Sequence, residues 1–116
     1  MALQMEFLLF FLAQAASATP SDVERREVRC VQAAMIATHY LEKDGELDSV
    51  AMTFPVIAFY KGRLLARRPD VDWHTVIKDT SPGELMDNPT LAIRATVNCQ
   101  NELNEIVSPT RSNPST

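Results

Sequence analysis

Residues 55–62 read Pro55-Val-Ile-Ala-Phe-Tyr-Lys-Gly62, and the fold turns on whether they form a helix or a strand. As a strand, Val56 to Tyr60 is a buried apolar run closed by a Lys61-Gly62 turn. As a helix, Ile57, Tyr60 and Leu64 step onto one face at helical spacing, with Val56 and Phe59 beside them. Pro55 disfavours helical geometry at Phe54 and supplies no backbone donor. The helical reading therefore predicts a short turn before Pro55 and a helix from Pro55 to about Arg68. Gly62 inside that helix costs about 1 kcal/mol relative to alanine, which close approach of a neighbouring helix would explain.

The flanks favour the helix. Ser21-Asp-Val-Glu24 is a capping-box pattern. It opens a stretch in which Val23, Cys30, Ala34, Ala37 and Leu41 recur at helical spacing, widened by Val31 and Met35. Gly45 is its natural stop. Downstream, Asn88 is a good cap and Pro89 suits a first helical position. Ala92, Ala95, Cys99, Leu103 and Ile106 then form one face of a last helix. Asp70 or Asp72 can cap a short helix through Trp73, Val76 and Ile77, and Ser81-Pro-Gly-Glu84 is a second, cramped capping-box pattern. The expected fold is all-α, a small bundle of about four helices in one domain spanning residues 19–107.

The N-terminus reads as a delivery signal. Phe7 to Ala13 is apolar, and Ala16-Ser17-Ala18 supplies the small residues a signal peptidase requires. The run falls short of the about 20 apolar residues a transmembrane helix needs. Glu6 and the lack of Lys or Arg in residues 1–6 depart from the pattern, and the competing reading is a cytosolic helical adaptor whose residues 1–18 pack on the core. Residues 108–116 lack an apolar run and read as a loose tail. Export to the periplasm or beyond makes a bridge between Cys30 and Cys99 the natural reading, stapling the first helix to the last. In the cytosol the same two residues would be buried thiols.

Composition narrows the function classes. The formal charge is −4, which argues against nucleic acid and anionic membrane surfaces as partners. With 46% hydrophobic but only 7% aromatic residues, the core must be aliphatic and alanine-rich. His39 and His74 lack ligand spacing, so both are expected on helix surfaces and neither metal nor cofactor is expected. Asp70 and Asp72 follow a basic stretch at a helix start, where ionised capping is the natural role. No P-loop, G-x-G-x-x-G or G-x-S-x-G occurs, so no catalytic residues and no enzyme activity are expected. Arg63, Arg67 and Arg68 form a basic cluster on an acidic chain. They could pair with Asp70, Asp72 or the acidic end of the first helix (Glu42, Asp44, Glu46), or form a docking patch for an acidic partner.

Two resemblances bear on these readings. A signal, one cysteine in the first helix, one in the last and a polar tail resemble small exported all-helical proteins of Gram-negative bacteria, among them the HdeA/HdeB-type acid-stress chaperones. Residues 58–73, AFYKGRLLARRPDVDW, also look like segments of uncharacterised exported alphaproteobacterial proteins. Only Cys30 and Cys99 carry over, and the tail departs from the chaperones' lysine-rich pattern. The resemblance implies a protein acting by binding other proteins, with a chaperone-like role under acid stress. The strand reading of residues 55–62 instead resembles the thioredoxin family's proline–strand–turn segment. It implies a redox-inactive binding module around Pro55, because the C-x-x-C motif is absent.

Overall fold

The computed structural model describes residues 19–108. The expected signal segment 1–18 and all of the expected tail beyond Ser108 lie outside the described residues. Four α-helices follow one another: α1 (Asp22–Lys43), α2 (Leu47–Arg67), α3 (Trp73–Asp79) and α4 (Pro89–Val107), with a 3-10 turn at Gly83–Leu85. No strand occurs among the described residues. The thioredoxin-like reading is thereby overturned, since residues 55–62 lie wholly inside α2.

The capping box at the start of α1 forms as expected. Glu24 N donates to Ser21 Oγ at 3.2 Å and Ser21 N donates to Glu24 Oε1 at 2.9 Å. At the other end Gly45 adopts φ 74°, a left-handed conformation that glycine reaches without a Cβ clash. Glu46 N then reaches Leu41 O and Gly45 N reaches Glu42 O, the paired bonds of a Schellman motif. This reversal sends α2 back along α1.

Residues 30–34 of α1 are all buried. Consecutive helical residues point about 100° apart, so five in a row cover the whole circumference. α1 is therefore the central helix, packed by α2, α3, α4 and the 3-10 turn. Ala33, Ala34 and Ala37 are fully buried, and their small side chains let these neighbours approach. The main cluster joins Val28, Cys30, Val31 and Ala34 of α1 to Val56, Tyr60 and Leu64 of α2 and to Trp73 and Ile77 of α3. Leu85 of the 3-10 turn fills a second cluster between Ala33 and Ala92.

Four details correct the sequence reading and a fifth decides between its alternatives. Pro55 does not begin a helix; α2 runs through it as one helix. Pro55 and Ala51 are both exposed, so the carbonyl deprived of its partner lies on the solvent side. No neighbouring helix approaches Gly62, since a Cβ there would meet nothing within 4 Å. Val23, Met35 and Ile106 point outward, at 44%, 49% and 45% exposure, rather than into the core. The second capping box is absent: Ser81 Oγ accepts from Gly83 N at 3.4 Å, and a 3-10 turn replaces the helical start. Asp72, rather than Asp70, caps α3, accepting from Thr75 N and Thr75 Oγ1. Those two bonds hold its carboxyl below the usual range.

Candidate functional site: an ion-paired helix end and two apolar surfaces

Because α1 and α2 run antiparallel, the end of α2 returns to the start of α1. The three arginines singled out from sequence do lie together there, but they meet Glu24 and Glu27, not the acidic end of α1. Glu24 and Glu27 are buried, at 2% and 5% exposure. Arg68 grips Glu24 with both carboxylate oxygens engaged, Nε to Oε2 at 2.9 Å and Nη2 to Oε1 at 2.7 Å. Arg67 pairs with both oxygens of Glu27, and Arg63 Nε lies 3.1 Å from Glu27 Oε2. Such forked contacts are what guanidinium groups provide and ammonium groups do not.

Arg68 also stacks on the Trp73 ring at 5.2 Å, while Trp73 Nε1 donates to Arg68 O at 3.1 Å. One residue thus connects the start of α1, the end of α2 and the start of α3. Burial alone would raise the pKa of Glu24. The hydrogen bonds from Arg68 and Ser21 outweigh burial and hold the carboxyl below its ordinary value of 4.5. Arg67 is pushed above the usual guanidinium range by its hydrogen bond to Glu27.

The cysteines meet nearby. Cys30 and Cys99 are bridged, with Cα atoms 5.9 Å apart, joining the first helix to the last. Tyr60 Oη donates to Cys99 O at 3.0 Å, so α2 is tied to the same point. Burial, with Glu102 adding to it, pushes the Tyr60 phenol up to about 12.

Two apolar surfaces were not anticipated. Leu47, Ala51, Phe54, Ala58, Gly62 and Leu65 recur every three or four residues and are all exposed. They form one stripe on the side of α2 opposite its buried residues Val50, Thr53, Val56, Tyr60 and Leu64. Leu47 is 72% exposed and Phe54 is 55% exposed. The signal was in the sequence, because these positions keep helical spacing of their own. A helix boundary at Pro55 hides it, because it cuts the stripe in two. The second surface is a groove of about 290 Å³ between α1, α3 and the segment after α3. His74 lines it, while His39 is exposed on α1. Among the described residues no His, Cys, Asp and Glu grouping could hold a metal ion, and no helix is long and apolar enough to cross a membrane.

Comparison with family models, curated proteins and solved structures found no match for this chain. Its class rests on its own architecture: an all-helical bundle whose first and last helices are joined by a disulfide.

Proposed function

We propose that this is an exported protein without catalytic activity that binds other proteins through the apolar surface of α2, and that acid increases this activity. The observation that carries the binding reading is the outward stripe of α2. A 21-residue helix in a small domain keeps Leu47, Phe54 and Leu65 in solvent, and Lys61 is the one charged residue bordering the stripe they form. Contiguous exposed apolar patches are a recognised mark of protein interaction surfaces. Export is supported by the small-residue cleavage pattern at Ala16 to Ala18 and by the bridged cysteines, which suit an oxidising compartment.

The acid dependence follows from the Arg–Glu cluster. Protonating Glu24 leaves the Arg68 guanidinium without its buried counter-charge beside Arg63 and Arg67. The end of α2 then loosens from α1 and frees its inner apolar face as well. The bridge keeps the loosened chain compact. The test is suppression of light scattering from an aggregation-prone client by the oxidised protein, at neutral pH and at about pH 2, well below the ordinary carboxylate range. Suppression should strengthen in acid and fall when Phe54→Ser and Leu65→Ser are combined. No suppression at several-fold molar excess would overturn the reading.

A further inference from the structure

The groove beside α3 is built from several elements and braced on both sides. Gln32 Nε2 of α1 donates to Ile77 O at 3.1 Å and to Thr80 O at 2.7 Å, pinning the end of α3. Tyr40 Oη donates to Met86 O at 2.8 Å, fixing the opposite lip. Between these braces Met35, Ile36, Ile77, Pro82 and Met86 make an apolar floor and walls. Lys61 of α2 and His74 and Lys78 of α3 also line it. No residue lining the groove carries a carboxylate, although the chain has 15 Asp and Glu against 11 Lys and Arg.

We propose that this groove binds a small amphipathic carboxylate, an acyl chain of medium length whose head group meets Lys61 and Lys78. Apolar walls with a few convergent polar groups are the usual composition of a small-molecule site. The lining residues carry two lysines and a histidine and no carboxylate, a balance that favours an anionic ligand. The space of about 290 Å³ lies at the small end of ligand pockets, which suits a medium rather than a long acyl chain. A longer acyl chain would leave the groove and lie on the surface. The inference is independent of export and of client binding, because it uses only residues of the braced groove.

The probe is decanoate, titrated below its micellar concentration into the oxidised protein at neutral pH while the methyl signals of Met35 and Met86 are followed by NMR. Both signals should shift together and saturate. Lys61→Glu combined with Lys78→Glu should weaken binding about five- to ten-fold with the fold intact, since both side chains reach solvent. Met86→Gln, at a half-exposed wall position, should weaken it separately. Decylammonium, with the same chain and the opposite charge, should bind less tightly than decanoate. Equal binding of the two probes, unchanged affinity in the lysine double variant, or shifts away from Met35 and Met86 would each overturn the proposal. So would binding of an acidic amphipathic peptide in the groove with none of decanoate.

Discussion

Arg68 closes a fork of two hydrogen bonds on the buried carboxylate of Glu24, joining the last turn of the α1–α2 hairpin to its first. The same guanidinium covers Trp73, so the docking of α3 depends on the pair as well. Removing it leaves a carboxylate that is 2% exposed without its main partner. Fully buried pairs lose 3–5 kcal/mol on such truncation. The Arg68 side chain is still 27% exposed, so solvent screening reduces the cost. Arg68→Met is expected to lower stability by about 2–3 kcal/mol in denaturant unfolding. Arg68→Lys should recover only part of this, because an ammonium cannot make the fork.

The pH dependence has a definite sign. The folded-state pKa of Glu24 is depressed, so its contribution is present above the ordinary carboxylate value and is lost as pH falls through the depressed one. Stability measured from pH 7 downward should therefore decline in the acid range. Glu24→Gln should start lower at neutral pH and decline less steeply. Parallel profiles for the two proteins would assign the acid sensitivity to other groups.

Much of this architecture was legible from local rules. Ser21 with Glu24, Gly45, Asn88 with Pro89, and the spacings around Cys30 and Cys99 are signals that tertiary packing had no reason to override. Pro55 misled because the rule that proline ends helices assumes the freed carbonyl has nowhere to go. Here it faces water. The partners of Arg63, Arg67 and Arg68 were misplaced because nearness in sequence was weighed above topology. Once Gly45 is taken as a tight reversal, residues roughly equidistant from it must meet. Thr38 Oγ1 lies 2.6 Å from Thr53 Oγ1, and Arg68 accordingly reaches Glu24. The groove could not be read in advance, since its walls come from side chains far apart in the chain whose meeting depends on where α3 docks.

Reduction should be costly. The bridge closes a loop spanning 69 positions, for which chain-entropy arguments give about 4 kcal/mol. Ordinary domain stability is only about 5–15 kcal/mol. Reduced protein, or Cys30→Ala with Cys99→Ala, should unfold at a markedly lower denaturant concentration. Coincident unfolding curves for oxidised and reduced protein would show that the staple contributes little.

Gly62 separates stability from binding. It lies within α2, and a Cβ there meets nothing within 4 Å, so Gly62→Ala should raise stability by about 0.5–1 kcal/mol. A methyl group toward the Leu65 end of the outward stripe also roughens the surface that a client must approach. The variant should melt higher than the parent and hold clients no better. A loss of stability would mean that the site is not open.

The most direct test joins the ion pair to the activity. Oxidised wild type and Glu24→Gln are compared for suppression of client aggregation across a pH series from neutral to about pH 2, well below the ordinary carboxylate range. Replacing the carboxylate by an uncharged amide imitates its protonation, so the variant should begin to hold clients at a higher pH than wild type. The two should converge in acid. Superimposed pH profiles, or a variant that loses activity in acid while remaining folded, would contradict the claim that the Glu24–Arg68 contact governs release of the inner apolar face of α2.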